Sequence, residues 1–270
     1  MNRLAVLIPV YNDPRGLAAC LAPLAAAGGG FDVLVVDDGS EPPLDEAGAG
    51  LPFAVRCHRL PANRGIAAAL NAGLALIRGR DYAYVARLDA WDICAPERFG
   101  LQMAFLDRHE RHVVVASDVE FIDRAGAPLY RYAPQCEDAA IRREMRYRPS
   151  FIHPASMLRL AALERAGGYS EACPGAEDYE LFWRLLDIGL GANLPDVLLK
   201  VYLNPLGISQ TRRRQLIRSR LRLQLDRFGF ADPHSYFGIL RTLALAGMPY
   251  SLAYALKRLA RPPAQEEAGR

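Results

Sequence analysis

No C-x-x-C pair occurs in the chain, and its cysteines, Cys20, Cys57, Cys94, Cys136 and Cys173, are odd in number and widely spread. That usage argues against a disulfide framework or a clustered zinc site, and it reads as the reduced thiols of a cytoplasmic protein. Charge of one sign is lacking too: 33 basic against 30 acidic residues leave a net charge of +3, too mild to argue for nucleic acid. No apolar stretch reaches the ~18 residues of a membrane-spanning helix. The start, MNRLAVLIPVYND, is apolar for only a few residues and has no small-residue cleavage site, so it reads as a buried first strand rather than a signal peptide. The G-x-G-x-x-G turn expected after the first strand of a dinucleotide-binding fold is missing, as is the G-x-x-x-x-G-K-[ST] loop. Phosphate bound here must be neutralised by metal or arginine rather than by a glycine cradle.

What is present is an alternation. LAVLIPV, FDVLVVDD, FAVRCHRL and YAYVARLDA read as strands, with PRGLAACLAPLAAA, GIAAALNAGLALI and PERFGLQMAFLDRH as helices around them. Strands apolar throughout and separated by helices imply an α/β fold with a mostly parallel sheet covered on both faces. From Val113 the pattern changes to a strand and hairpin turning at Ala125-Gly126, then short helices closed by glycine and a late strand, DVLLKVYL. The expected organisation is residues 1–112 and 113–205 as two halves of one domain, and 206–270 as a basic C-terminal helical extension. In that extension Leu216, Ile217, Leu221, Leu225 and Phe228 share one face, with arginines on the others.

In an open parallel sheet, ligands bind beyond the carboxyl ends of the strands. Three such ends are polar: Pro9-Val10-Tyr11-Asn12, Asp37-Asp38-Gly39-Ser40 and Asp89-Ala90-Trp91-Asp92. Neighbouring acids crowd negative charge unless a cation or donor groups lie between them, which suits a metal diphosphate and a ribose or base. Oxygen-only ligands point to Mg²⁺ or Mn²⁺.

The ordered set VLIPVYND, VLVVDDGS, NRGIAAALNAGL, RLDAWD and GGYSE…AEDYELFWRL resembles family 2 glycosyltransferases of the GT-A fold, over roughly residues 4 to 205. The resemblance implies an inverting, nonprocessive transfer of a hexosyl or deoxyhexosyl group from a UDP, dTDP or GDP sugar to a hydroxyl of a glycan or lipid-linked acceptor, in bacterial cell-surface polysaccharide or lipopolysaccharide biosynthesis. By motif, Pro9, Tyr11 and Asp38 line the nucleoside pocket, and Asn63 or Arg64 lies near the base or diphosphate. Asp89 opens the D-x-D-like element, with Trp91 beside the donor and Asp92 as a second metal ligand. Asp178 matches the catalytic base, with the helix dipole expected to keep it ionised. One departure stands out: Trp91 occupies the position where the family commonly places a metal-binding acid. Asp89 or Asp92 takes over as ligand, or the metal binds weakly, or arginines replace it.

Plainer readings compete at each position. Asp92 can simply cap a helix at Pro96, and Asp89 can end a strand. Trp91 either stacks on the sugar or wedges its loop against the core. His153 is either a metal or acceptor contact or a satisfied structural histidine. Glu177 reads as a helix N-terminal acid rather than a second base. Tyr130, Arg131 and Tyr132 suit a hairpin near the acceptor or an exposed edge strand. Arg212, Arg213, Arg214, Arg218, Arg220 and Arg222 form a solvated face or, with the apolar LALAGMPYSLAYAL that follows, attach the chain peripherally to an anionic membrane surface. Nucleic acid is not expected, because no aromatic platform accompanies these arginines. The alternatives to transfer are a degenerate sugar-nucleotide binder, motivated by Trp91, and a sugar nucleotidyltransferase, which needs a phosphate loop that Tyr11-Asn12-Asp13 does not provide.

Overall fold

The computed structural model describes residues 2–44, 50–204 and 212–248. Three parallel strands, β1 (Leu4–Val10), β2 (Phe31–Asp37) and β3 (Val55–Arg59), form one side of the sheet, and β4 (Tyr84–Arg87) lies parallel to β1 on its other edge. Helix α1 (Pro14–Leu24) connects β1 to β2, and α2 (Ile66–Ile77) connects β3 to β4. Central β1 is covered on both faces, which is why LAVLIPV carries no alternation. Pro14 stands in the first turn of α1, and the Asp13 carboxylate caps that helix by accepting from the Gly16 N–H at 2.9 Å.

The second half extends the same sheet in mixed directions. Two-residue β5 (Ile93–Cys94) and α3 (Arg98–Arg108) lead to the long β6 (His112–Ile122), which turns through Gly126 into β7 (Pro128–Tyr132). Then come α4 (Asp138–Met145), β8 (Met157–Arg159), α5 (Leu160–Arg165), α6 (Glu177–Ile188) and β9 (Leu190–Tyr202). The sheet order is β3-β2-β1-β4-β8-β6-β9-β5, with β7 also paired to β6. Short β8 is antiparallel to both β4 and β6, so it joins the two halves through one continuous core. The first of the glycine-closed helices expected after the hairpin, in SMLRLAALERAGG, is shortened to α5 because Met157–Arg159 form β8.

Two helices follow, α7 (Arg213–Asp226) and α8 (Pro233–Gly247), packed on each other. The leucine face expected on α7 is not the one buried. Ser219, Leu223 and Gln224 turn inward and Leu225 is exposed, because Gln224 is needed to meet the Thr242 hydroxyl at 2.7 Å. Pro249 and the rest of the apolar segment to Leu256 lie outside the described residues. Among the described residues no helix is long and apolar enough to cross a membrane.

Candidate active site

The carboxyl ends of β1, β2 and β4 converge as expected, but hydrogen bonds within the chain occupy several of their acids. Asp37 is fully buried and serves its own turn, accepting from Ser40 N at 2.8 Å and Leu44 N at 3.3 Å. Ser40 then accepts from Asn12 N at 2.8 Å, and the Asn12 side chain accepts from Glu41 N at 2.8 Å. Asp38 uses one oxygen for Arg64 N and the other for Gly65 N, both at 2.8 Å. Gly39, at φ 73°, lets the turn press on the loop; a Cβ there would stand 2.4 Å from the Ala62 carbonyl carbon. DDGS therefore ties three loops together and holds Tyr11, Asn63 and Arg64 at the surface. Tyr11 is half exposed, and Arg64 reaches Glu171 at 3.7 Å. Pro9 sits on β1 beneath them, only partly buried.

The turn after β4 holds RLDAWD. Trp91 has φ 73°, a left-handed conformation that is strained for a bulky residue and easy for Asp or Asn. Its backbone N–H donates to Gly16 O at 2.9 Å, and its indole N–H donates to Asp13 Oδ2 at 2.7 Å. The Tyr202 ring lies 5.8 Å away, and the Arg124 guanidinium sits 5.2 Å over the indole. Gly16 makes room for it, since a Cβ there would approach the indole nitrogen to 2.4 Å. The indole is wedged against the start of α1.

Asp92 turns the other way. It is buried, and its Oδ1 accepts from Tyr202 N at 2.9 Å, stapling the turn to the end of β9. Its Oδ2 is buried without a partner. Burial, and then the nearby Asp89, push its carboxyl well above the usual carboxylate range. Asp89 is the accessible acid of the pair, its side chain 42% exposed and 2.5 Å from Arg87 Nη2. Among the described residues, no three His, Cys, Asp or Glu side chains cluster as a metal-binding group.

Sequence reasoning passed over Arg87. This last residue of β4 is 1% exposed, donates to Leu88 O and Asp89, and keeps a buried Nε with no partner. Arg98 of α3 braces it from behind by donating to Arg87 O at 2.9 Å. The field of Arg87 reaches His153, Tyr169, Glu177 and Asp178. An arginine closing an apolar strand two residues before an acid was the available signal. Asn71 was also missed. From α2 it accepts from Tyr169 N and donates to Tyr169 O, both at 2.8 Å, and so pins the GGYSE loop.

Asp178 stands in the first turn of α6, where its Oδ1 accepts from Tyr179 N at 2.7 Å. The expected effect of the helix N-terminus is outweighed. Burial raises the Asp178 carboxyl above its ordinary value, and the Tyr179 N–H, Arg220 and Arg87 only partly restrain it. Glu177 beside it is pushed up to about 7, by burial first and then by Asp178, so the pair does not carry two full charges near neutrality. Arg220 comes from α7, whose buried Nε also lacks a partner. The same helix donates Ser219 Oγ to Pro174 O at 3.1 Å and sets Leu216 against Gly175. The C-terminal helices thus support the loop that leads into Asp178, and Arg220 is not part of a solvated face.

His153 is buried, with Nε2 2.9 Å from the Tyr169 hydroxyl, and burial followed by Arg87 drives its ring well below the usual histidine range. It is a satisfied neutral histidine. The hairpin tyrosines are not exposed either. Tyr130 and Tyr132 are buried, Tyr130 stacks on Phe121 at 4.8 Å, and Arg131 pairs with buried Asp118 at 2.7 Å.

The model of the family described as "Glycosyl transferase family 2" matches residues 5–167. An uncharacterized glycosyltransferase of Haemophilus influenzae is 33% identical over 207 residues, 73% of this chain and 74% of the relative. The amylovoran biosynthesis glycosyltransferase AmsE of Erwinia amylovora is 32% identical over 253 residues, 88% of this chain and 92% of AmsE. Among solved structures, the mannosyltransferase PcManGT of Pyrobaculum calidifontis, in complex with GDP-Man and Mn²⁺, superposes with a TM-score of 0.64 at 18% identity, covering 96% of this chain and 79% of PcManGT. S. aureus TarS 1-349 with UDP-GlcNAc also gives 0.64, at 17% identity, over 90% of this chain and 72% of TarS. Fold, family model and relatives agree: the chain is a GT-A domain and belongs to glycosyl transferase family 2.

Proposed function

We propose that the chain transfers a sugar from a nucleotide-diphosphate donor to an acceptor hydroxyl, with inversion and without processivity, in the building of a bacterial polysaccharide. AmsE, named for amylovoran biosynthesis, supports the polysaccharide reading, and the GDP-Man and UDP-GlcNAc complexes of the structural neighbours support the donor class. The observation that carries the proposal is Asp178, a carboxylate at a helix start with its proton affinity raised by burial, facing Arg87 and Arg220. As the acceptor oxygen bonds to the anomeric carbon, Asp178 takes the hydroxyl proton and the nucleoside diphosphate departs with the bonding pair. In this reading the exposed Tyr11, Asn63 and Arg64 meet the nucleoside, and Asp38 acts by holding the loop that carries two of them.

A divalent ion fits through Asp89 rather than Asp92. Mg²⁺ and Mn²⁺ sites of this kind use one or two carboxylates plus the substrate phosphates, and Asp89 is the half-exposed acid. Bound there, the ion would supply positive charge to the departing diphosphate. The accessory cation of this chain's own residues is Arg87, which already faces Asp89.

Asp178→Asn tests the proposal. It retains an oxygen for Tyr179 N but removes basicity, so turnover should fall by ~10²–10⁴-fold while donor affinity and melting temperature stay near wild type. Near-normal turnover would remove Asp178 from the mechanism. Trp91 in an acid's usual place favours one second reading, a donor binder that does not transfer. Tight nucleotide binding by the wild type, with no donor turnover at any Mn²⁺ concentration, would select it.

A further inference from the structure

Helix α8 is built inside out. Its inward face is small and polar: Ser235, Gly238 and Thr242 are buried at helical spacing. Gly238 allows backbone to meet backbone, since a Cβ there would stand 2.2 Å from Arg146 O. Its outward face is apolar, with Tyr236 48%, Phe237 53%, Leu240 66% and Leu243 50% exposed, and Phe230 just ahead of it is 85% exposed. Ring contacts through Phe228 join Phe230 (5.2 Å) to Tyr236 (4.8 Å), and Leu240 and Leu243 follow Tyr236 at helical spacing. A helix folding only for its own core would bury Phe and Leu and expose Ser and Thr. The reversal leaves an apolar outer face available to a second apolar phase.

We infer that this face docks on an anionic lipid bilayer. Charge complementarity supports that occupant. On adjoining α7, Arg214, Arg218 and Arg222 are exposed at four-residue spacing and run toward Leu225, itself 55% exposed. An arginine stripe beside an aromatic and aliphatic stripe is the composition of an element lying in a lipid interface. The sequence that follows α8, PYSLAYALKRLAR, again combines apolar and basic residues. The opposite side of α7 carries Leu216, Ser219 and Arg220 onto the loop before Asp178. One helix pair therefore faces lipid on one side and supports the site on the other, an arrangement suited to an acceptor held at a membrane. The inference rests on the exposure pattern and does not depend on the transferase chemistry.

The test is flotation of the full chain with vesicles of phosphatidylcholine alone or with 30% phosphatidylglycerol, at roughly 50 and 300 mM salt. Expected is binding to the anionic vesicles that weakens with salt, with little binding to the neutral ones. Leu240→Glu should lower the partition coefficient by at least about tenfold, and each of Arg214→Gln, Arg218→Gln and Arg222→Gln by about fivefold. These side chains are exposed, so an unchanged thermal melt is expected and confirms that the variants fold. No binding to either vesicle overturns the inference, as does wild-type binding by Leu240→Glu. A dimer in light scattering that Leu240→Glu dissolves, without vesicle binding, assigns the face to a second copy and overturns it too.

Discussion

Replacing Asp92 by asparagine and by alanine separates a structural staple from a metal ligand. In the fold its Oδ1 accepts from Tyr202 N at 2.9 Å, while Oδ2 is buried and has no partner. Asparagine can keep the first contact and loses only a buried charge. Alanine leaves the Tyr202 N–H without its acceptor, at a cost of about 1–3 kcal/mol. For a chain of this size each kcal/mol is worth roughly 2–4 °C, so the alanine variant should melt roughly 2–12 °C lower and the asparagine variant no lower than wild type.

The pH dependence has a definite sign. Burial and Asp89 raise the Asp92 carboxyl above its unfolded value of 3.8, so the native state holds its proton more tightly than the unfolded chain does. That contribution is fully present below the unfolded value and is lost as pH climbs through the raised native one. The asparagine variant has no such loss, and its melting temperature relative to wild type should climb as pH rises above about 4. In activity assays titrated with Mn²⁺, Asp89→Asn should need more divalent ion and Asp92→Asn no more than wild type. Two results would refute this reasoning: an asparagine variant that melts as low as alanine, or one that raises the ion requirement as much as Asp89→Asn.

Asp38→Ala should leave the Arg64 and Gly65 N–H groups without their acceptor, lowering stability by about 1–3 kcal/mol for each and weakening nucleotide binding in calorimetry through the loosened loop. Unchanged melting with weakened binding would instead mark Asp38 as a direct nucleotide contact. Trp91→Asp suits the left-handed backbone at φ 73° and restores an acid beside Asp89, so the Mn²⁺ concentration for half-maximal activity should fall or hold. A clear rise in that concentration would show that the indole itself serves the donor site. The acid limb of the rate profile should lie above the ordinary carboxylate range, because Asp178 must lose its proton to act and burial opposes that loss.

Local pattern made half of this legible. The apolar strands β1, β2 and β4, the proline that opens α1 and the Gly126 hairpin all follow from residues within a few positions of one another. The acids at the strand ends were legible as a set, but their duties were not, because those depend on partners far along the chain. Asp38 meets backbone 26 and 27 residues later, and Asp92 meets Tyr202 across 110. Strands of two and three residues, β5 and β8, are too short to show any periodicity. The arginines of α7 looked uniform in sequence, yet Arg214, Arg218 and Arg222 are exposed while Arg220 turns toward Asp178. Spacing alone does not separate them, because the separation depends on where the Pro174–Gly175 loop meets the helix.

The substitution at position 91 bears on how the rest of the site balances its charge. An acid there would add a third carboxylate to the turn that already holds Asp89 and Asp92. In its place the indole donates to Asp13, so the left-handed turn is anchored to α1 by a neutral donor. Of the two remaining acids, Asp92 is raised toward its neutral form by burial. Asp89 has its counter-charge in Arg87, at 2.5 Å. On the acceptor side Glu177 is pushed up to about 7, which leaves Asp178 to face Arg87 and Arg220. Two buried guanidinium Nε groups, of Arg87 and Arg220, are left without partners at that centre. Unpartnered buried donors are costly, and here they keep two positive charges acting on Asp178. Under the proposed function, the positive charge of Arg87, at the tip of a central strand and 2.5 Å from Asp89, would share with a metal the task of holding the donor diphosphate.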